Sequence, residues 1–227
     1  IDANPYEMGR IDSDLMYNIV KEWSWGNSNS NKIYHDPETR KNSISFRSNL
    51  SRLSEVLIDE DKYEQAEEII DLAFSKMPID YYGYYSLWTP FVKGYYEINR
   101  DDKAQEIVKK LSFKYSDRLN YYSSLEIFNQ YNVGEEIISD IERFRNLIET
   151  IKASGEKDIL SEQIKSFISG SEKFNYIYGE YDFYISLSDF IISLVELNQL
   201  EYSRSILDKI EEQLLRRVSV FSNIYQD

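Results

Sequence analysis

Apolar residues recur at helical spacing along most of the chain, and the clearest example lies between residues 47 and 78. This stretch, RSNLSRLSEVLIDEDKYEQAEEIIDLAFSKMP, contains two apolar runs separated by the polar break DEDK. The two runs occupy Leu50, Leu53 and Leu57, and then Ala66, Ile70 and Ala73. Spacings of three and four residues place each run on one face of a helix. The pattern predicts a helix, a tight turn and an antiparallel helix that ends at Pro78.

A second hairpin of the same kind follows 38 residues further on, where Ala104 corresponds to Ala66. Its two helices carry Trp88, Phe91 and Tyr95, and then Ala104, Val108 and Leu111. The spacing resembles a tetratricopeptide repeat, whose signature has a tryptophan in the first helix and small residues in the second. Small side chains allow the two helices to approach closely. Pro90 falls in the first turns of its helix, where proline is best tolerated.

Two further hairpins are predicted in the last third of the chain. The third has its apolar faces at Phe144, Leu147 and Ile151, and then at Leu160, Ile164 and Phe167. The fourth has them at Leu187, Phe190, Ile191 and Leu194, and then at Ser203, Leu207 and Ile210. Leu or Ser replaces the alanines, so these two are degenerate hairpins. The intervening segment is predicted to be an irregular connection with a short helix.

The fold class predicted from these patterns is all-α. We expect a tetratricopeptide-like array of helical hairpins, an α-α superhelix of about nine helices, in a single domain over residues 1–227. Residues 1–40 would form an N-terminal capping segment and 41–118 two tetratricopeptide-like repeats. Residues 119–140 would form the connection and 141–227 the two degenerate hairpins.

The N-terminal segment contains two predicted helix starts. Asp12 is a plausible cap for a helix, and Asp36 for another that has Pro37 at its first position and continues into the Leu50 face. The apolar face predicted for the first of these helices consists of Leu15, Met16, Ile19, Val20 and Trp23. The loop WSWGNSNSNKIYHDP then covers residues 23–37. We interpret helix and loop as a cover over the open face of the first repeat; ligand contact and docking onto another region are the alternatives.

Charge and composition exclude several functions. The chain has 26 basic and 40 acidic residues, a net charge of −14, which argues against nucleic acid and against an anionic membrane surface as partners. It has no cysteine, and its one histidine cannot form a His-rich metal site. We expect His35 to be a solvated loop residue. The glycines form no phosphate-binding loop. The acidic pairs at 12–14 and 59–61 are interpreted as a helix cap and a turn rather than as calcium ligands.

Aromatic residues make up 15% of the chain and suggest two candidate binding surfaces. One is an aromatic platform for a glycan or an extended peptide, formed by Trp23, Trp25, Tyr34, Tyr81, Tyr84 and Tyr85. The other is a groove lined by the first helices of the two repeats, formed by Ser51, Glu55, Thr89, Lys93 and Tyr96. Two tyrosine clusters, DYYGYYSLW at 80–88 and NYIYGEYDFYISL at 175–187, are interpreted first as packing between repeats, with glycan or peptide contact as the alternative. A clamp for a terminal carboxylate needs Lys, Arg or Asn in the groove, and Ser51 and Glu55 do not provide it.

The N-terminal third also resembles a known family. YEMGRIDSDLMYNI, WGN and IYHDPETRKNSISFRSNLSRL, followed by the hairpin ending at Pro78, resemble the tail of bacterial polytopic membrane proteins of unknown function. That family is related to protein O-mannosyltransferases. The resemblance covers Tyr6 to Leu111 and implies a periplasmic tail, tethered to the inner membrane through a missing N-terminal region. The catalytic carboxylates would lie in that region, so no catalytic, cofactor-binding or metal-binding residue is predicted here.

The function expected from the sequence is therefore non-catalytic. We predict a module that binds or scaffolds a protein or glycoprotein, with no cofactor, and that contacts its own upstream membrane region without inserting into the membrane itself. A structural or dimerising tail that braces the membrane region is the alternative. An independent glycoside-active enzyme is a third hypothesis, which no carboxylate spacing favours.

Overall fold

The structure is a computed structural model that describes residues 9–224, and no strand occurs among them. The predicted all-α class is confirmed. Nine α-helices have nine or more residues and four shorter ones lie between them, so the described residues contain more helices than the nine or so predicted. The chain divides into two compact units, residues 1–108 and 109–227. A single continuous domain stays a prediction.

The helices of the first unit are joined by short turns, except for the long loop between α1 and α2. They are α1 (Ser13–Lys21), α2 (Pro37–Asp59), α3 (Tyr63–Lys76), α4 (Ile79–Tyr82), a 3₁₀ turn (Tyr85–Trp88), α5 (Thr89–Glu97) and the start of α6 (Asp101–Ser124).

Helices α2 and α3 form the predicted hairpin. Asp36 caps α2 by accepting hydrogen bonds from the backbone N–H groups of Glu38 and Thr39 at 2.9 and 3.0 Å, as predicted. All six predicted core positions of the hairpin are fully buried: Leu50, Leu53, Leu57, Ala66, Ile70 and Ala73. The turn between the helices contains Asp61 at a positive φ of 58°, which confirms that the acidic run marks a turn.

Helix α5 packs against both α2 and α3. A Cβ added at Gly94 would lie 3.0 Å from a methyl group of Ile70, so glycine allows this close approach. Trp88, at the start of α5, is fully buried and stacks on Phe74 with ring centroids 4.4 Å apart. Ala104 and Val108 in α6 are also fully buried. The predicted core of the second hairpin is therefore confirmed, while its classification as a tetratricopeptide repeat stays a prediction.

The predicted buried face of α1 is partly wrong. Asp12 caps the helix through the N–H of Leu15 at 3.0 Å, as predicted, and Val20 is fully buried. However, the side chains of Leu15 and Ile19 are 59% and 47% exposed. Tyr17 is buried instead, and its hydroxyl donates a hydrogen bond to Glu68 of α3. The polar tip of tyrosine lets it lie between core and solvent, which the apolar pattern alone does not register.

The second unit continues the series of helices. They are the remainder of α6, α7 (Ile127–Asn132), α8 (Gly134–Ser154), α9 (Lys157–Ser171), a 3₁₀ turn (Glu172–Phe174), α10 (Asn175–Tyr178), α11 (Glu180–Ser186), α12 (Ser188–Glu196) and α13 (Leu200–Ile224). Helices α8 and α9 pack as the predicted third hairpin around the buried side chains of Phe144, Leu147, Ile151, Leu160, Ile164 and Phe167.

The segment 119–140 is more regular than predicted. Helix α6 extends to Ser124 and α8 starts at Gly134, with the predicted short helix α7 between them. The irregular part is thus confined to a few residues at the helix ends. Asn, Ser and Gly favour turns in general, but here Leu119 and Tyr122 are buried, and this packing keeps the helix intact.

The fourth hairpin consists of α12 and α13, which pack together. Leu187, Phe190 and Leu194 are buried as predicted. Leu207 was predicted to be buried but is 48% exposed, and Ile206 is buried in its place. In the C-terminal half of α13 the side chains of Leu214, Leu215 and Val218 are also exposed.

Candidate functional site

A cavity of about 450 Å³ lies beside the N-terminal loop in the first unit. We call it the aromatic pocket. Its lining consists of Trp23, Ser24, Trp25, Ser28, Thr39, Asn42, Ser43, Phe46, Met77 and Tyr82. The loop after α1, the first turns of α2, the end of α3 and helix α4 supply these side chains. The size and the largely apolar lining are typical of a small-molecule or side-chain site.

Three rings form one continuous wall of the aromatic pocket. The ring centroids of Trp23 and Trp25 are 5.6 Å apart, and those of Trp23 and Phe46 are 5.5 Å apart with an interplanar angle of 80°. The centroids of Trp25 and Phe46 are 6.0 Å apart. At these separations the rings are in contact with one another. Phe46 is 44% exposed, so the wall faces solvent as well as the cavity.

Two hydrogen bonds hold the loop that carries this wall. The buried hydroxyl of Tyr82 donates to the backbone oxygen of Ser28 at 2.9 Å. Burial raises the pKa of Tyr82, which keeps this hydroxyl protonated as a donor. His35 Nε2 lies 3.1 Å from the backbone oxygen of Ser30 and must donate, because a carbonyl can only accept.

The prediction that His35 is a solvated loop residue is wrong. Its side chain is only 9% exposed and stacks on Tyr81, with centroids 5.7 Å apart and an interplanar angle of 9°. It also contacts Tyr82 at a centroid distance of 4.9 Å. His35 has one ring nitrogen in a hydrogen bond and contacts two tyrosine rings. It is therefore a structural residue that connects the loop to α4. The neighbouring Asp36–Pro37 cap indicates a loop in water. The burial of His35 is not visible in the local sequence, because the tyrosines that cover it come from a distant part of the chain.

The start of α2 positions the polar side of the aromatic pocket. Thr39 lines the cavity, and its hydroxyl donates to the Asp36 carboxylate at 2.7 Å. This hydrogen bond, together with those from the backbone, lowers the pKa of Asp36. The cap residue therefore stays ionised and fixes the orientation of Thr39.

Arg47 lies one turn beyond Ser43 and is fully buried. It donates to the Ser43 hydroxyl and to the backbone oxygen of Gly83, both at 2.8 Å, and its Cζ is 5.2 Å from the Trp88 ring centroid. Burial lowers its pKa to about 10, so the side chain is still charged at neutral pH. Arg47 fixes Ser43 and the Gly83 turn from behind the aromatic pocket. The apolar pattern does not reveal Arg47, because a charged residue here occupies a position on the core face of the helix.

The lining of the aromatic pocket carries no charge. Its side-chain hydrogen-bonding groups are hydroxyls, one amide and the indole N–H groups of Trp23 and Trp25, and the lining includes no carboxylate, imidazole or amine. The Ser28 hydroxyl oxygen is buried and has no hydrogen-bond partner within residues 9–224. An unpaired buried hydroxyl costs about 1–3 kcal/mol, which a bound group can relieve. The arrangement suits binding of a neutral molecule and offers no general base for a serine nucleophile.

The predicted aromatic platform is only partly assembled. Trp23 and Trp25 line the aromatic pocket, where Phe46 and Tyr82, which the sequence analysis missed, join them. Tyr34 is 82% exposed and outside the lining. The other predicted members have structural positions outside the lining: Tyr81 on His35, Tyr84 with its ring 5.8 Å from the Arg47 guanidinium, and Tyr85 half-buried in the 3₁₀ turn. Phe46 lies four residues before Leu50, so the helical period places it beside the core face of α2. This spacing is the sequence signal for Phe46.

The predicted groove residues lie on two helices that pack together. Ser51 and Glu55 belong to α2, and Thr89, Lys93 and Tyr96 belong to α5. Glu55 and Lys93 are exposed and the other three are half-buried. Lys93 forms an ion pair with Glu97 at 3.4 Å. A role for this surface in partner binding stays a prediction.

No family model, curated protein or solved structure matches the chain. The family resemblance drawn from the sequence motifs therefore remains an expectation. Among the described helices, none combines the length and the apolar character that crossing a bilayer requires. The description that the structure supports is an all-α protein with an aromatic, uncharged pocket in its first unit.

Proposed function

We propose that the protein is a non-catalytic, tetratricopeptide-like binding module, which recognises a protein or glycoprotein through the aromatic pocket. The observation that carries this proposal is the contact cluster of Trp23, Trp25 and Phe46 around a preformed cavity. Aromatic side chains at such density are characteristic of binding hot spots. The loop is held by Tyr82 and His35, so little ordering is needed when a ligand binds.

The family resemblance supplies the context for this proposal. It implies a periplasmic tail on a membrane protein that resembles glycosyltransferases, with the upstream membrane region as a second partner. The tail would then present an acceptor polypeptide, or position a partner, near a membrane active site. Isolated tail would show no glycosyl transfer, and turnover by the pure 227-residue chain would contradict the non-catalytic assignment.

The binding proposal is tested on an array that carries peptides and the same peptides in glycosylated form. Wild-type protein is expected to bind a defined subset, and Trp25→Ala is expected to lose it. Tyr34→Ala is the matched control, because Tyr34 lies in the same loop but outside the lining. A combined Lys93→Glu, Tyr96→Ala variant tests the predicted groove in the same way. Equal binding by wild type and Trp25→Ala would contradict a role for the aromatic pocket.

A second candidate is the structural or dimerising tail. The exposed side chains of Leu214, Leu215 and Val218 on α13 favour it, because an apolar helix face of this kind is usually covered by another surface. Sedimentation of wild type would then show concentration-dependent association, which Leu214→Glu abolishes. A monomer at every concentration would remove dimerisation and leave only contact with the membrane region.

A further inference from the structure

Two kinds of side chain meet at the aromatic pocket. The apolar kind comprises the ring wall and the thioether of Met77. The polar kind comprises small neutral groups: Ser24, Ser28, Thr39, Asn42, Ser43 and the Tyr82 hydroxyl. A ligand that satisfies both needs an apolar face and an edge of hydrogen-bonding groups.

The ring wall does not form a cage. Its three centroids are 5.5 to 6.0 Å apart, so the rings touch one another and leave no space between them for a methylated ammonium group. A ligand must therefore lie flat against the cluster. This geometry favours a saturated ring that stacks on Trp25 or Phe46 over a cation surrounded by rings.

The polar side retains hydrogen-bonding capacity. The hydroxyls of Thr39, Ser43 and Tyr82 already donate within the protein, to Asp36, Arg40 and Ser28. The Ser28 hydroxyl is buried and unpaired within residues 9–224, while the side chains of Ser24 and Asn42 are exposed. When the Ser28 side chain turns about χ1 toward the cavity, a ligand hydroxyl can donate to it and accept from it, and the exposed amide of Asn42 can do the same at the rim.

The electrostatics select against an anion. No cationic side chain is among the lining residues, and the chain has a net charge of −14. Arg47 lies behind Ser43 and is fully buried, so its guanidinium cannot form an ion pair with a ligand in the cavity. The ligand class is therefore neutral.

We propose that the aromatic pocket binds a neutral hexopyranose residue of a glycan, with its C–H face on the ring wall and its hydroxyl edge toward Ser28 and Asn42. A pyranose chair has these two surfaces, an apolar face of C–H groups and a rim of hydroxyls. The proposal rests on the proposed binding function and names the chemistry of its ligand. Binding is non-covalent and involves no cofactor.

The test uses tryptophan fluorescence of the full chain. Methyl glucoside, methyl galactoside and methyl mannoside are titrated separately, and the fully buried Trp88 supplies a constant background for Trp23 and Trp25. At least one glycoside is expected to give a saturable change with a roughly millimolar dissociation constant. Ser28→Ala, which keeps the ring wall, is expected to weaken it about fivefold to tenfold. Trp25→Ala is expected to abolish it, Tyr34→Ala to leave it unchanged, and methyl glucuronide to bind more weakly than methyl glucoside.

Decaproline is titrated in parallel, because a proline ring can also lie against the ring wall. Saturation by decaproline alone, lost in Trp25→Ala, would overturn the sugar assignment and retain the binding function. No saturation by any glycoside, with no binding on the peptide array, would overturn both. Equal affinity of wild type and Ser28→Ala for a glycoside would overturn the placement of the hydroxyl edge. Circular dichroism of Trp25→Ala establishes that loss of binding is not loss of folding.

Discussion

Arg47 in the first unit and Asp140 in the second are both fully buried, and their charges are compensated in different ways. Arg47 is surrounded by neutral groups: the Gly83 carbonyl, the Ser43 hydroxyl and the ring of Trp88. Asp140 accepts instead from two cations, Arg118 at 2.8 Å and Arg143 at 3.1 Å, and from the Tyr122 hydroxyl at 3.1 Å.

Arg47 and Asp140 constrain different parts of the structure. Dipoles compensate a charge only when they point at it, so Arg47 constrains the backbone at Gly83 and the rotamer of Ser43. Gly83 has a positive φ of 62°, and Arg47 bonds its carbonyl directly. The two arginines around Asp140 are 38% and 45% exposed and keep contact with water. We infer that Arg47 shapes the aromatic pocket, whereas Asp140 stabilises the packing of the second unit.

Arg47→Ala is expected to have the largest effect on stability. It removes a fully buried side chain and leaves the Gly83 carbonyl and the Ser43 hydroxyl without their donor. The free energy of unfolding should fall by about 3–5 kcal/mol. Denaturant titration measures the loss, and hydrogen exchange should locate it in α2 and α3 rather than in α8.

Arg216→Ala is the control for this variant, because Arg216 is exposed and pairs with Glu212 along one helix. Its effect should stay within about 0.5 kcal/mol. An equally small loss of stability in Arg47→Ala would mean that the groups around Arg47 do not depend on its charge. It would contradict the role of Arg47 in shaping the aromatic pocket.

Asp140→Asn is expected to be the next largest. The amide keeps the shape of the carboxylate but places an N–H₂ group or a neutral oxygen against two guanidinium groups. Because both arginines can turn toward water, we expect a loss of about 2–3 kcal/mol, less than for an ion pair sealed on both sides. Hydrogen exchange should report it in α8 and spare α2.

Asp189→Asn provides the comparison for Asp140→Asn, since the Asp189 side chain is 64% exposed and lies 3.9 Å from Arg145. It should change stability by less than about 0.5 kcal/mol. Similar losses in both variants would mean that burial of the Asp140 charge contributes nothing.

The regular part of the fold was predictable from the sequence, because core helices bury one face at a period that local pattern reveals. Ala66 and Ala104, chosen for close approach, are both fully buried. The pattern failed where burial depends on a distant partner. Leu15 is exposed while Tyr17 is buried and its hydroxyl pairs with Glu68 of α3, and Leu207 is exposed while Ile206 is buried.

The candidate site was half predicted. The residues Trp23 and Trp25 stood out by composition, and both line the aromatic pocket. Tyr82 was missed because its role depends on a hydrogen bond to Ser28, 54 residues away, and no local pattern reports such a pairing. Arg47 was missed for the same reason, since the carbonyl it bonds lies 36 residues along the chain.

Tyr82→Phe should have a smaller effect on stability. It tests the hydrogen bond to the loop independently of Arg47. It removes only the hydroxyl that donates to Ser28, and it leaves the Arg47 contacts in place. We expect a loss of about 1 kcal/mol in the free energy of unfolding. The Trp23 and Trp25 fluorescence should also shift toward that of more solvated rings.

Tyr34→Phe is the matched control, as the Tyr34 ring is 82% exposed, and neither stability nor fluorescence should change. A Tyr82→Phe variant with unaltered tryptophan fluorescence would show that the loop is held without this hydrogen bond.

The smallest expected effect concerns a partly buried charge, Glu67, whose side chain is 19% exposed. Glu67 accepts from Lys103 at 2.8 Å and from Arg100 at 2.8 Å. The hydrogen bond from Lys103, supported by Arg100, lowers the pKa of Glu67 below its ordinary value of 4.5. A carboxyl with a lower pKa in the folded state stabilises the protein above its unfolded pKa, and this contribution is lost as the pH falls through the folded pKa.

We expect Glu67→Gln to cost about 0.5 kcal/mol at neutral pH, with the difference from wild type vanishing in acid. Urea titrations at neutral pH and below the ordinary pKa of the carboxyl measure this convergence. Glu64→Gln, at an exposed position on the same helix, is the control and should leave the stability at neutral pH unchanged. A difference that persisted unchanged into acid would mean that Glu67 stabilises α3 through packing and that its charge is irrelevant.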